Sequence, residues 1–209
     1  MKQIVLALDT SQGTSVAVII DGKLASEVSD PNAMRHAENI GTLIASCVEK
    51  AGIKPAEVTD VAVGIGPGPF TGLRVGIAAA KMFAAGSKAN LHGVGSLDAI
   101  AFELDLAEPT LVIADARRSE VYYGLFQGKS ESGIPKQLLA PGVSKQAELE
   151  SRLQSENQAY QLVSKPVSAA SIGLLALAMI EEGVPAGPLQ ANYLREPDAT
   201  YAKPKKVSG

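Results

Sequence analysis

The residues best placed to do chemistry lie in one segment, Gly64-Ile-Gly-Pro-Gly-Pro-Phe-Thr-Gly-Leu-Arg-Val-Gly76. A glycine-rich turn that opens a helix can present free N–H groups to an anion. Glycine permits the angles and close approaches such a turn needs. Pro67 and Pro69 fix φ and remove two donors. Two known phosphate motifs fail here. A Walker loop ends in Gly-Lys-Ser/Thr, whereas Gly72 is followed by Leu73-Arg74. The dinucleotide pattern needs a last glycine where Pro69 stands. Gly72, Gly76 and Ala80 recur every four residues instead, which leaves one side of a helix without bulk. That spacing favours close packing, within the chain or with a partner, over phosphate binding. Glycine inside a helix costs about 1 kcal/mol against alanine, so the close approach must return something.

Other chemistry is thin. Cys47 sits at helical spacing among apolar neighbours, which reads as a buried thiol rather than a nucleophile. Serine, histidine and aspartate are all present, but no Gly-x-Ser-x-Gly elbow is. No candidate nucleophile has an evident activating base.

The surrounding elements must hold the glycine segment in place. Gln3 to Leu8 is an apolar, β-branched run that ends at the polar turn Asp9-Thr10-Ser11. Thr14 to Ile20 is a second such run, and Asp21-Gly22 turns it into a third over Lys23 to Ser29. From Met34 to Ala51 the apolar residues follow helical spacing. Val61 to Ile65 predicts a strand and Thr71 to Ala85 a helix, with Thr71 as its N-cap. Leu91 to Val94 predicts a short strand, and Ser96 caps a helix to about Leu104. The second half predicts strands at 110–114, 121–127, 137–140 and 159–163, with helices at 144–153 and 167–182. Both halves begin strand, Asp, turn, strand, which suggests a duplicated unit with mixed sheets and helices on them. The expected division is 1–106 and 107–209.

The chain has 209 residues, nearly half of them apolar, and a formal charge of −3. Length allows one large domain or two small ones. The charge argues against an autonomous nucleic-acid binder, which usually shows a basic face. Lys203-Pro-Lys-Lys206 is the one basic run and reads as a solvated end. A single cysteine excludes an internal disulfide and suits a reducing compartment. The N-terminal apolar run meets Asp9 too soon for a signal sequence, and no apolar stretch is long enough to span a bilayer. A soluble cytoplasmic protein is expected.

Leu6-Ala-Leu-Asp-Thr-Ser11, Arg35-His-Ala-Glu38, the Gly64–Gly76 segment, Asp115-Ala-Arg-Arg118 and Tyr193-Leu-Arg195 occur in this order. Together they resemble the TsaB (YeaZ) family along essentially the whole chain. Pro69 stands where many members carry serine. The resemblance implies an α/β, actin/Hsp70/sugar-kinase-like (ASKHA) fold of two ribonuclease-H-like halves, the second degenerate. It implies a dimerisation subunit for TsaD, the enzyme that transfers the threonylcarbamoyl group. The acceptor is N6 of the adenosine 3′ of the anticodon, in tRNAs reading codons that begin with A. TsaE would complete a larger complex, a homodimer would form when TsaD is absent, and tRNA would be met mainly through the complex.

Within that likeness the chain reads as non-catalytic. A TsaD-like metal site uses two histidines one helical turn apart, and here His36 is followed four residues later by Ile40. No metal is expected. In this fold an aspartate closing the first strand can organise a phosphate site, so Asp9, Thr10 and Ser11 are a possible nucleotide turn. The competing reading is a structural turn with Asp9 accepting backbone N–H groups. ATP at an interface shared with partners is the implied alternative to a cofactor on this chain alone. Partner docking is assigned to the two N-terminal helices: Ile40, Leu43, Ile44 and Cys47 for bulk, Gly72, Val75, Gly76 and Ala79 for close approach. On that view Gly76→Leu leaves the fold intact and abolishes the complex. The rival function is an independent ATPase or small-molecule kinase of the same fold. A direct tRNA contact through Arg117, Arg118 and the Lys203–Lys206 tail is a third.

Overall fold

The computed structural model describes residues 2–184 and 189–195; the Lys203–Lys206 run lies outside them. Strands β1 (Ile4–Asp9), β2 (Thr14–Ile20), β3 (Lys23–Asp30), β4 (Asp60–Gly64) and β5 (Asn90–Val94) form the first sheet, in the order β3-β2-β1-β4-β5. Strands β6 (Thr110–Asp115), β7 (Glu120–Lys129), β8 (Pro135–Lys145) and β9 (Gln161–Ser164) form the second, in the order β8-β7-β6-β9. In each, the first strand pairs antiparallel with the second and parallel with the fourth. The repeated topology matches the repeat in the sequence.

The period of two decides the layers. Val5, Ala7, Ala17 and Ile19 point to one core, while Ile4, Leu6, Leu8, Val16 and Val18 point to another. A sheet buried on both faces is the reason these runs are apolar without alternation. Helices α1 (His36–Lys50) and α2 (Phe70–Ser87) cover the outer face of the first sheet. Helix α5 (Ala169–Glu181) covers its inner face, touching β1, β2, β4 and β5. Gly173 permits that contact, since a Cβ there would lie 3.0 Å from the Ala7 Cβ and overlap Ile19. Helix α3 (Ser96–Phe102) packs on β6, β7 and β8 of the second sheet and on α5. Thus α5, from the second half of the chain, packs on the first sheet, and α3, from the first half, packs on the second. Helix α4 (Gln146–Ser155) closes the outer face of the second sheet with Leu149 and Leu153.

Several boundaries differ from expectation for local reasons. Helix α1 starts at His36 rather than Met34, because Asp30 and Asn32 side chains take the N–H groups of Asn32 and Met34 into turns. Helix α2 starts at Phe70 behind Pro69, so Thr71 lies inside the first turn and is no cap. The expected short strand at 137–140 lies in the first half of a longer β8, whose register against β7 shifts at Tyr123–Leu125 and again beyond.

Candidate functional site

The two sequence motifs with the strongest pattern are halves of one joint. Gly64, Gly68, Gly72 and Gly76 all lie against the end of β1. A Cβ on Gly64 would overlap Asp9 Oδ2; one on Gly68 would stand 2.9 Å from the Ser11 Cβ. One on Gly72 would overlap the Thr10 carbonyl, and one on Gly76 the Thr10 hydroxyl. The four-residue spacing therefore admits the β1–β2 turn. This corrects the expectation that Gly72 and Gly76 form an outward face for a partner helix, and with it the expectation that Gly76→Leu spares the fold.

Hydrogen bonds lock the joint. Asp9 Oδ1 accepts from the Ser11 N–H (2.8 Å) and hydroxyl (2.6 Å), and Asp9 Oδ2 accepts from Ser96 (2.8 Å). The Ser96 hydroxyl also accepts from the Gly66 N–H at 3.2 Å. Thr10 donates to the Gly72 carbonyl at 2.8 Å. Burial raises the Asp9 pKa, against the lowering bonds from Ser11 and Ser96. Asp9, Thr10 and Ser11 are all buried, with their polar atoms turned to one another and to α2 and α3. A phosphate would find none of them presented, so this turn does not fit a nucleotide.

The helix pair divides differently from expectation. Cys47 is fully buried, Ile40 nearly so, and both belong to the outer core of the first sheet. Leu43, Ile44, Val75 and Ala79 are half-buried at its margin. Burial raises the Cys47 pKa, partly offset by Ser26, whose hydroxyl lies 3.1 Å from the sulfur. Such a thiol is a packing group. The outward side carries Ala37, Gly41 and Ala45 beside Glu38, Thr42, Glu49 and Lys50 on α1, and Ala78, Met82 and Ala85 beside Arg74 and Lys81 on α2. Met82 is 76% exposed, and a Cβ on Gly41 would meet nothing within 4 Å. Sequence reasoning missed this face because it followed the bulky apolar residues, which turn inward. The spacing Ala37, Gly41, Ala45 was the available signal.

Two clefts flank the joint. One, of about 500 Å³, lies between the starts of α1 and α2, the β6–β7 hairpin and the 193–195 strap. Phe70, Tyr122 and Tyr193 line it with Arg117 and Arg195. The Phe70 and Tyr193 rings are 4.7 Å apart, and the Arg74 guanidinium lies 3.6 Å over Phe70 while donating to the Tyr193 hydroxyl at 3.1 Å. Arg195 donates to the Ala116 carbonyl (2.7 Å) and pairs with Glu120 (3.3 Å), so the strap ties the first sheet to the second. The other cleft, of about 450 Å³, is bordered by Glu27, Asp30, Ser15 and Ser168; Asp9 touches its floor with 2% of its surface exposed. Glu27 accepts from Ser168, Ser15 and the Ala170 N–H, closing the start of α5. His36 stands between the clefts, its Nδ1 2.8 Å from the Thr14 hydroxyl. Burial lowers its pKa against the opposing charge of Asp30. Among the described residues no group of three His, Cys, Asp or Glu side chains could hold a metal, and no helix is long and apolar enough to cross a membrane.

Comparison with known proteins gives a consistent result. The family described as "TsaD: tRNA N6-adenosine threonylcarbamoyltransferase" matches residues 30–161. An uncharacterized protein of Mycobacterium tuberculosis is 32% identical over 93% of this chain and 93% of its own length. Proteins named tRNA threonylcarbamoyladenosine biosynthesis protein TsaB are 35% identical in Haemophilus influenzae, over 56% of this chain and 51% of that protein, and 31% in Escherichia coli, over 62% and 57%. The chain thus spans little more than half the length of these named relatives. A solved structure, YeaZ from Pseudomonas aeruginosa, superposes with a TM-score of 0.72 at 23% identity, over 92% of this chain and all of the other. That likeness carries the fold; together with the TsaD family match over residues 30–161 and the two mixed sheets, the chain is of the ASKHA, ribonuclease-H-like class.

Proposed function

This chain belongs to the TsaB/YeaZ family, and from that premise we propose that it is a non-catalytic partner subunit in the biosynthesis of threonylcarbamoyladenosine in tRNA. It binds TsaD through the outer faces of α1 and α2. The observation that carries this reading is the uncovered stripe of small residues on that helix pair, Ala37, Gly41 and Ala45 on one helix and Ala78 with Met82 on the other, set among the exposed Glu38, Thr42, Arg74 and Lys81. Small residues at four-residue spacing let a facing helix approach closely, as ridges fill grooves. Two helices from each partner then form a bundle. Because TsaD shares the fold family, the same face can pair two copies of this chain, and the two assemblies compete. Docking holds TsaD in a competent arrangement by favouring one of its states, with the transfer chemistry on TsaD, and TsaE joining the larger assembly. The half-buried Leu43, Ile44, Val75 and Ala79 form the rim of the contact, and Ile40, Cys47, Gly72 and Gly76 support it from within. The test is light scattering after size exclusion, on this chain alone and mixed with TsaD. A homodimer that converts to a heteromer is expected. Failure to associate at micromolar concentration, with TsaE and nucleotide present, overturns the reading.

A further inference from the structure

We propose that the partner helix laid along α2 is an acidic one, with carboxylates at seven-residue spacing that meet a ladder of cations, Arg74, Lys81 and Lys88. This rests on the reading of α1 and α2 as the docking face, and names the chemistry of what docks there. Arg74 and Lys81 lie on α2 and Lys88 is its C-cap; all three are exposed and stand seven residues apart. Thr71, Ala78 and Ala85, also exposed, repeat at the same interval, each three residues ahead of a cation. A seven-residue repeat drifts only about 20° per step round a straight helix. Small residues and cations therefore form two parallel stripes on the outward side of α2. The small stripe lets a facing backbone come close, and the cations flank the seam, where charged residues select a partner. Successive cations are about 10 Å apart along the axis.

The rest of the molecule does not share this pattern. Acidic residues outnumber basic ones over the whole chain, 22 to 19, yet none stands between Asp60 and Asp98. At the starts of α1 and α4 a cation has a carboxylate three residues on, Arg35 with Glu38 and Lys145 with Glu148, each at 3.0 Å. That mixture of signs is what a solvated helix face carries. On α2 it is missing: Lys81 and Lys88 take part in no ion pair among the described residues. Arg74 lies over the Phe70 ring and donates to the Tyr193 hydroxyl, which fixes the guanidinium without neutralising it. Neither the chain's own basic run nor a second copy supplies the counter-charge. Lys203-Pro-Lys-Lys206 has the same sign. In a second copy α2 is equally cationic, and the exposed carboxylates of α1, Glu38 and Glu49, are eleven residues apart. That is about 16 Å, against about 10 or 21 Å between rungs of the ladder. Two copies therefore leave the ladder unmatched, and a partner helix with Asp or Glu every seven residues displaces the second copy.

Charges beside a seam act mainly on the rate of encounter and on its salt dependence. The test is therefore the association rate of the full chain with dye-labelled TsaD, by stopped-flow fluorescence, between about 50 and 500 mM salt. The variants are Lys81→Gln and the double reversal Lys81→Glu with Lys88→Glu, both at exposed positions, with melting temperatures checked against wild type. Lys136→Glu, equally exposed on β8 of the second sheet, is the control for net charge. The double reversal is expected to associate at least about tenfold more slowly than wild type at low salt, with the gap closing as salt rises. Lys81→Gln falls between the two, and Lys136→Glu matches wild type. Wild-type binding at a rate that Lys81→Gln and the double reversal leave unchanged overturns the acidic-helix proposal and leaves the docking face standing. An equal loss in Lys136→Glu also overturns it, because net charge and not the ladder would then steer the encounter. No association of the wild-type chain overturns both readings.

Discussion

The two outer helical layers of this molecule cover the same sheet topology and end in different surfaces. On the second sheet, α4 buries Leu149 and Leu153 and turns Ala147, Glu148, Ser151, Arg152 and Gln154 to solvent. That is an ordinary amphipathic helix with a finished outer face. On the first sheet, α1 and α2 also bury their bulky residues, yet among the exposed Glu38, Thr42, Lys50, Arg74 and Lys81 their outward side carries a stripe of small residues, Ala37, Gly41, Ala45, Ala78 and Ala85, with Met82. A duplicated unit thus keeps one closed layer and one open one. The open layer is also the one braced by the glycine joint at Asp9–Ser11. The docking proposed for this surface needs a fixed backbone beneath it, and the joint supplies one.

The largest expected effect comes from breaking the brace. Gly76→Leu drives a side chain into Thr10, whose hydroxyl donates to Gly72. Overpacking costs about 1–3 kcal/mol and often moves backbone, and the lost buried hydrogen bond adds about 1 kcal/mol. A loss of about 3 kcal/mol or more is expected, read by urea unfolding of the isolated chain. A variant of native stability would show that the joint is loose and that the open layer needs no brace.

Next come matched changes on the two layers. Gly41→Leu places a side chain where a Cβ meets nothing. It replaces a helical glycine, so the fold gains about 0.5–1 kcal/mol. In the proposed complex with TsaD the same side chain would occupy the close approach, and affinity is expected to fall about 10- to 100-fold by the cost of overpacking. Ala147→Leu on α4 is also exposed and leaves that affinity unchanged. Isothermal titration with TsaD checks the pair. Equal effects, or none at Gly41, would remove the distinction between the layers.

How much of this was legible in the sequence depends on which physical rule each residue obeyed. The β1 and β2 runs were readable because residues buried on both faces leave a continuous apolar signal. The repeat was readable because each half keeps strand, Asp, turn, strand. The role of Gly72 and Gly76 was half legible. Their spacing announced a close approach, but only the fold supplies Thr10 as the neighbour, from 62 residues away at Gly72. The same holds for Asp9, whose partner Ser96 is 87 residues distant. The open face was missed since bulk marks a core and not an interface. The Phe70, Tyr193 and Arg117 cleft gathers residues from three separate segments, and no local pattern links them.

The smallest effect concerns the strand the first sheet has and the second lacks. Beyond the four shared positions, the first sheet adds β5 at its edge, and Asp60 on β4 fastens it. The carboxylate accepts from His92 (2.9 Å), Asn90 (3.2 Å) and Thr59 (2.8 Å). Burial pushes the Asp60 pKa up, but the bonds from His92, Thr59 and Asn90 outweigh it and the net direction is down. A carboxyl held below its unfolded value of about 3.9 stabilises the fold above that pH, and the contribution is lost as pH falls through the folded value. Asp60→Asn should therefore cost about 1–2 kcal/mol near pH 7, the scale of hydrogen bonds to a charged group, and the difference from wild type should shrink in acid as pH falls through the lowered folded value. Urea unfolding at neutral pH and in acid reads it. A cost that is the same at both would mean that shape and not charge fastens β5. The extra strand would then be held by its ladder alone, as β9 is held in the second sheet.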